Sequence, residues 1–184
     1  MAGFVAENLQ RAFPEAVQKV QDERGDLTVW VDRTRLHDLL AHCKHDPELA
    51  FDFCMDVTAV DYLTLGGVPR FAVVYHLYSL STGKRVRIKA GVPEDDPVVD
   101  TATDVWKSTD WFEREVYDMF GIRFEGHPVM KRILTHQDFQ GHPLRKDYPA
   151  DLRWKLMRPD DLVDEMSPDE MERVRTRALR TLEE

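Results

Sequence analysis

The chain has only two cysteines, Cys43 and Cys54, in 184 residues. Two thiols neither make a disulfide framework nor ligate an iron–sulfur cluster on their own. Long apolar runs are missing as well. The longest stretch without a charged side chain, Phe71 to Gly83, has thirteen residues and contains His76, whereas a membrane-spanning helix needs about 20 apolar residues. The N-terminus, Met-Ala-Gly-Phe-Val-Ala-Glu-Asn, carries neither a basic n-region nor a long apolar h-region, so secretion is not expected. There is no phosphate loop, since Gly66-Gly67 is a lone turn dipeptide. No nucleophile stands beside a base with supporting residues. The expectation is a soluble cytoplasmic protein.

Apolar residues at 42% and aromatics at 10% are enough for the core of one ordinary domain. The net charge of −9 is unevenly spread: −8 over residues 1–120, +4 over 121–158 and −5 over 159–184. A basic block between acidic flanks points either to an anionic or acidic partner or to an intramolecular contact with the acidic first part.

Along the first 90 residues, short helices alternate with short strands. Val5, Leu9 and Ala12 share a helix face that must end before Pro14. Residues 16–22 read as a strand, because Arg24-Gly25-Asp26 marks a hairpin turn into Leu27–Val31. Asp32 is placed to cap a helix with Leu36, Leu39, Leu40 and Cys43 as its apolar face. In Phe51–Val57 apolar residues alternate with shorter or charged ones, a strand pattern. Phe71–Tyr78 is apolar on both faces and suits a central strand. After it, Arg85, Arg87 and Lys89 alternate with Val86 and Ile88, giving a strand with a basic outer face. The sum is an α+β fold, a two-layer sandwich of a mixed β-sheet and helices, over residues 1–120.

Residues 97–120 read as helical. Asp110 and Glu113 have capping-box spacing for Trp111–Phe120, with Phe112, Val116 and Met119 as its stripe. Glu115 falls inside that arc, so it either needs a buried partner or reaches water at the rim. Residues 121–158 carry Pro128, Pro143 and Pro149, no sustained period, and Ile122, Phe124, Ile133, Leu134, Phe139 and Trp154 among the charges. This composition reads as an extended basic arm that orders against a partner. Residues 159–184 form an acidic segment in which Ser167-Pro168-Asp169-Glu170 opens a helix with a thin apolar side.

Few constellations carry chemistry. Gly-His-Pro occurs at 126–128 and 141–143, with His136 and Asp138 between. Three histidines and a carboxylate are zinc-type ligands, the basis of a metal-dependent hydrolase reading, but their spacing matches no compact zinc pattern. His37, His42, Cys43 and His45 fall on different helix faces. Glu113, Glu115 and Asp118 are candidate acid/base carboxylates, although Arg114–Asp118 has the spacing of an ordinary i,i+4 pair. The arm intersperses Arg132, Arg145, Lys146, Arg153 and Lys155 with Phe139, Tyr148 and Trp154, as a nucleic-acid binder does. The acidic balance of the whole chain opposes attraction to phosphate, so no nucleic acid is expected.

The run Trp111-Phe-Glu-Arg-Glu-Val-Tyr-Asp-Met-Phe-Gly-Ile-Arg-Phe-Glu-Gly-His-Pro128 closely resembles the signature of the 30-kDa-type subunit of type-I NADH–quinone oxidoreductase, respiratory complex I. The resemblance continues through Lys131-Arg132-Ile133-Leu134 and Asp138-Phe139-Gln140-Gly141-His142-Pro143-Leu144-Arg145-Lys146-Asp147-Tyr148-Pro149. Upstream it takes in Asp56-Val-Thr-Ala-Val-Asp61-Tyr62 and Val74-Tyr-His-Leu-Tyr-Ser79. Ser108-Thr109-Asp110, Met130-Lys131 and Phe139 depart from the family's usual Ala-Asn, Leu-Arg and Trp. Related subunits occur in membrane-bound nickel–iron hydrogenases and in other ion-translocating dehydrogenases, so the branch stays open.

The resemblance implies a two-layer α+β fold and a non-catalytic subunit with no cofactor of its own. The complex as a whole would hold FMN and iron–sulfur clusters and pass electrons from NADH to quinone while translocating protons. The implied partners are the hydrogenase-like large subunit (49-kDa-type) and the iron–sulfur subunits of the peripheral arm. The implied location is peripheral, on the cytoplasmic side of the inner (cell) membrane, with membrane contact only through the complex. Tyr148, Arg145 and Trp154 would dock on the partner, and Glu115 with Arg132 would make a buried ion pair at the root of the arm. Glu113, Arg114, Asp118, His127, His142 and Lys146 complete the residues assigned to interface or structure.

Overall fold

Apolar side chains at helical spacing start the chain as α1 (Ala2–Ala12), burying Val5, Ala6 and Leu9 and stopping short of Pro14. Strand β1 (Val17–Glu23) turns into β2 (Asp26–Val31) through Arg24 and Gly25, both at positive φ (57° and 87°). Such a two-residue turn matches the twist of an antiparallel pair. The Asp32 carboxylate then accepts a hydrogen bond from the Thr34 N–H at 2.8 Å. It opens a single 3₁₀ turn, Arg33–Arg35, that leads into α2 (Leu36–His45) with Leu36, Leu39, Leu40 and Cys43 buried. This computed structural model describes residues 2–149 apart from Val68 and Asp138. The expected helix after Ser167 and the side chain of Trp154 lie outside the described residues.

Strands β3 (Phe53–Asp61), β4 (Phe71–Tyr78) and β5 (Arg85–Val92) complete a five-stranded sheet in the order β1-β2-β5-β4-β3. The β2–β5 pair is parallel and the other pairs are antiparallel, so the sheet is mixed. The fold is α+β, with α1, α2 and α3 (Thr109–Phe120) sharing one core with Val29, Val31, Val73, Tyr75, Ile88 and Ala90. The central strand is β5; β4 lies beside it, one place in from the edge. A register shift between Cys54 and Asp56 alters the simple alternation expected of Phe51–Val57. The bulge turns Cys54 and Val57 inward and leaves Phe53 and Met55 exposed (46% and 42%).

The region expected to be helical from residue 97 begins instead with a short strand, β6 (Val98–Asp100), and the helix starts only at Thr109. Its parallel partner is β7 (Arg123–Glu125), which follows α3. Ile122 and Phe124 are buried in the core, so the first residues of the predicted arm belong to their own domain. The compact unit ends at Tyr148 rather than at residue 120. No described helix is long and apolar enough to cross a membrane.

Candidate assembly site

The signature run wraps around the second half of α3, and two buried carboxylates organise it. Asp118 is the first. Its side chain is fully buried, and Oδ2 accepts the backbone N–H groups of Ile133 (3.0 Å), Leu134 (2.8 Å) and Thr135 (2.9 Å). Its Oδ1 accepts from the Arg132 guanidinium at 2.7 Å and from the Thr135 hydroxyl. The same arginine donates to the Gly141 carbonyl at 3.0 Å. Burial by itself raises the Asp118 pKa, but the Thr135, Leu134 and Arg132 donors outweigh it and hold the carboxyl far below the usual range. Three consecutive N–H groups converging on one carboxylate fix a loop that has no helix or strand of its own.

The C-terminus of α3 is closed on the same loop. Gly121 caps the helix at φ 76°, and a Cβ there would lie 2.5 Å from His142 Nε2 and 2.7 Å from an Arg145 nitrogen. Only glycine lets both side chains lie against the backbone. His142 donates from Nδ1 to the Asp118 carbonyl at 2.9 Å, and Arg145 donates from Nε to the Phe120 carbonyl at 2.6 Å. The Leu144 N–H reaches the Met119 carbonyl at 3.1 Å.

Asp61 and Arg70 form the second centre. Arg70 donates to Asp61 through Nε (3.2 Å) and a terminal nitrogen (2.9 Å), to Asp147 at 2.6 Å, and to Glu94. Asp61 also accepts the backbone N–H groups of Leu63 (2.9 Å) and Lys146 (2.8 Å). Burial opposes ionisation of Asp61, yet Arg70 and these N–H donors bring its pKa down to about 2. The Phe71 ring lies beneath both the Arg70 and the Arg145 guanidinium, at 4.8 and 5.1 Å. Together the two centres clamp residues 132–147 to the helix and to the ends of β3 and β4.

Several sequence assignments change here. Glu115 is exposed, and the buried carboxylates of α3 are Glu113 and Asp118. The helix begins two residues earlier than the capping-box reading assumed, and its buried stripe runs through Thr109, Glu113, Val116 and Phe120, which leaves Glu115 on the solvent side. Glu113 therefore does not cap its own helix; it accepts from the Thr101 hydroxyl at 2.5 Å and the Ala102 N–H at 2.8 Å, joining α3 to the segment after β6. Arg132 pairs with Asp118 and not with Glu115. Arg114 does not pair with Asp118 either, since it donates to the Lys131 carbonyl and lies over the Trp111 ring. The structure brings Asp118, Arg132, His142 and Arg145 together and places Glu113 elsewhere. His127 is held separately: its Nδ1 accepts from the Val129 N–H and its Nε2 faces the Asp110 carbonyl. The Lys146 side chain is exposed, whereas the Tyr148 ring stacks on Phe139 at 5.8 Å.

Sequence reasoning passed over Asp61 and Arg70 as a site. Asp61 had a signal: it continues the inward parity of Val57 and Ala59 along β3, and a carboxylate in a core-facing position demands a partner. Arg70 had none. No group of three or more His, Cys, Asp or Glu among the described residues is arranged to hold a metal ion, and His127 and His142 bind different backbone carbonyls.

Residues 29–153 match the family described as respiratory-chain NADH dehydrogenase, 30 Kd subunit. The chain belongs to that family. Both centres and the whole signature run fall inside the matched range. The C subunit of NADH-quinone oxidoreductase from Geobacter sulfurreducens is 48% identical over 141 residues, covering 77% of this chain and 85% of that one. Its counterpart from a Roseiflexus strain is 46% identical over 145 residues, covering 79% and 82%. Among solved structures, a trypsin-resistant fragment of Nqo5 (1–134) is 39% identical with a TM-score of 0.62, covering 70% of this chain and 99% of the fragment. A chain of a membrane-bound sulfane sulfur reductase, an archaeal respiratory membrane complex, is 28% identical with a TM-score of 0.66, covering 80% and 85%. The 30 Kd subunit family thus shares its fold with a chain of a second kind of respiratory complex.

Glu113 gives this 30 Kd subunit a pH signature. Burial pushes its carboxyl up to about 7, more than the Thr101 and Ala102 hydrogen bonds pull it down. A carboxyl whose folded-state pKa is raised binds its proton more tightly in the folded chain. Its contribution to stability is therefore present at low pH and falls as pH rises from its ordinary value, 4.5, to about 7. The wild-type chain is expected to lose roughly 3 kcal/mol across that window, and Glu113→Gln to remove the slope. Thermal unfolding of both chains from pH 4.5 to 8 checks it, and parallel pH profiles would contradict it.

Proposed function

We propose that this subunit is a non-catalytic assembly element of the peripheral arm of a proton-translocating NADH–quinone oxidoreductase, packed against the hydrogenase-like large subunit. The observation that carries the reading is that four ionisable groups of the signature are already engaged within their own domain. Asp118, Arg132, Arg145 and His142 each bind a backbone or side-chain group of their own domain. Groups so occupied, with Asp118 held firmly ionised, make poor proton donors or nucleophiles, but they make a rigid base from which the chain beyond Tyr148 can engage a neighbour.

FMN and the iron–sulfur clusters then reside in other subunits, and electrons pass from NADH to quinone through those. This chain supports that path by holding the large subunit in place, next to the quinone chamber, on the cytoplasmic side of the membrane. The reading is supported by higher identity to the NADH–quinone oxidoreductase relative (48%) than to the sulfane sulfur reductase chain (28%). A gentle affinity purification of the tagged chain from solubilised host membranes tests it by mass spectrometry of the partners. Recovery of a hydrogenase-like large subunit with an NADH-oxidising flavoprotein is the expected result. The large subunit with nickel and hydrogenase activity would move the chain to the hydrogenase branch. Recovery of neither would overturn the assembly role.

A further inference from the structure

The helices pack on one face of the five-stranded sheet, and the other face has a composition of its own. Cross-strand register aligns Phe53 of β3 with Tyr78 of β4, and Tyr78 with Arg85 of β5, in one row. The next row aligns Asp56, His76 and Arg87, with the bulge residue Met55 beside them. Met55, His76, Arg85 and Arg87 line one shallow pocket. Phe53 and Met55 are nearly half exposed, and Leu80, just past the end of β4, is 68% exposed.

Positive charge on this face is gathered along its central strand, with Asp26 and Asp56 beside it. Three successive outward positions of the central strand β5 are basic: Arg85, Arg87 and Lys89. Arg87 reaches Asp26 only at 3.8 Å, and Lys89 lies over the Trp30 ring at 5.2 Å. Arg85 lies over the Tyr78 ring at 5.4 Å and has no carboxylate partner among the described residues. His76 adds no charge near neutrality, because burial, with Arg87 beside it, lowers its pKa. Exposed aromatic, methionine and arginine side chains grouped on a rigid sheet have the composition of an interface core. Arg85, without a carboxylate partner among the described residues, and Arg87, with only a long contact to Asp26, call for a partner that supplies carboxylates.

We infer that the Phe53–Tyr78–Arg85 face of the sheet is a second docking surface, which takes an acidic segment with apolar side chains from a neighbouring protein of the complex. The surface rests on the assembly role proposed above, and it is built of different residues from the Asp118 and Arg70 centres. Phe53, Met55 and Leu80 supply the apolar contact. Arg85 and Arg87 supply direction, each meeting a carboxylate of the incoming segment.

Hydroxyl-radical footprinting compares the isolated full chain with the affinity-purified complex. Phe53, Met55 and Tyr78 are expected to oxidise in the isolated chain and to be protected in the complex. The double variant Arg85→Glu/Arg87→Glu is expected to lower the yield of assembled complex by about tenfold at low salt while its circular dichroism and thermal midpoint stay unchanged. Equal oxidation of Met55 in both states would overturn the surface while leaving the assembly role standing, because the complex would have been recovered. Recovery of no complex would overturn both. Protection of the same residues by phosphatidylglycerol vesicles, to the extent seen in the complex, would make the face a membrane contact and would also overturn the proposal. Should the double variant fail to fold, the footprint of the unaltered chain still decides.

Discussion

Asp118→Ala will destabilise the domain by about 3–5 kcal/mol, the usual cost of removing one partner from a buried, hydrogen-bonded ion pair. Three effects add up at this position. The Arg132 guanidinium, only 16% exposed, loses its counter-charge. The amides of Ile133, Leu134 and Thr135 lose their acceptor in a part-buried setting, and orphaned donors there cost roughly 1–3 kcal/mol each unless water reaches them. The loop also loses the contact that replaces secondary structure. Asp118→Asn is milder, since the amide oxygen keeps one set of donors, yet its NH2 group must then face Arg132 or Thr135. Urea unfolding of the full chain measures the loss. Limited trypsin digestion locates it: cleavage after Lys131 and Arg132 should accelerate before any other site does. A variant that unfolds at the wild-type urea concentration would contradict the role given to this carboxylate.

The acid limb of stability belongs to the same groups. Asp118 and Asp61 are both held below the ordinary carboxyl value of 3.8. A depressed folded-state pKa contributes stability above 3.8 that is lost as pH falls towards the folded value. Glu113 works in the opposite sense between about 4.5 and 7. The two windows do not overlap, so one pH series separates the clamp from the buried glutamate.

Local pattern was a good guide wherever a residue's fate depends on its near neighbours. The Arg24–Gly25 turn and the buried face of α2 follow from side-chain spacing and turn chemistry alone, and both are present, whereas the Asp32 cap falls on the 3₁₀ turn before α2 and not on α2 itself. The basic outer face of β5 was equally plain from alternation. The misreadings are errors of face. A bulge at Cys54–Asp56 shifts the strand alternation by one residue, and the stripe that α3 buries is centred on Thr109, Glu113, Val116 and Phe120 rather than on Phe112, Val116 and Met119. That is enough to send Phe53 and Met55 outward and to exchange Glu115 for Glu113. The Asp118–Arg132 and Arg70–Asp147 contacts join residues 14 and 77 positions apart, so periodicity holds no trace of them. The family signature marked Asp118, Arg132 and Arg145 as belonging together without showing that Arg132 pairs with the Asp118 carboxylate or that Arg145 holds the Phe120 carbonyl. Arg145, expected to dock on a partner, also holds the Phe120 carbonyl of its own domain from a half-buried position.

Arg70→Met should be as damaging as Asp118→Ala, about 3–5 kcal/mol, and the reason can be tested separately from the size. Asp61 has a side chain with no exposure at all, and Arg70 has 7%. Removing the guanidinium strands a buried carboxylate, whose remaining donors are the N–H groups of Leu63 and Lys146. The outer partners matter less: Asp147 and Glu94 are about half exposed and can turn to water, where an ion pair contributes little. If the loss comes from stranding Asp61, then removing that charge as well must restore part of it. The double variant Asp61→Asn/Arg70→Met is therefore expected to be more stable than Arg70→Met alone, a coupling of about 1–3 kcal/mol in a double-mutant cycle. Arg70→Lys retains the charge but cannot fork across three carboxylates, and it should fall between wild type and Arg70→Met. Simple additivity of the two single losses would mean that Arg70 acts by packing over Phe71. The ordering wild type, Arg70→Lys, double variant, Arg70→Met in urea midpoint would establish the carboxylate clasp as the element that fixes Lys146 and Asp147, and with them the point at which the chain leaves the domain.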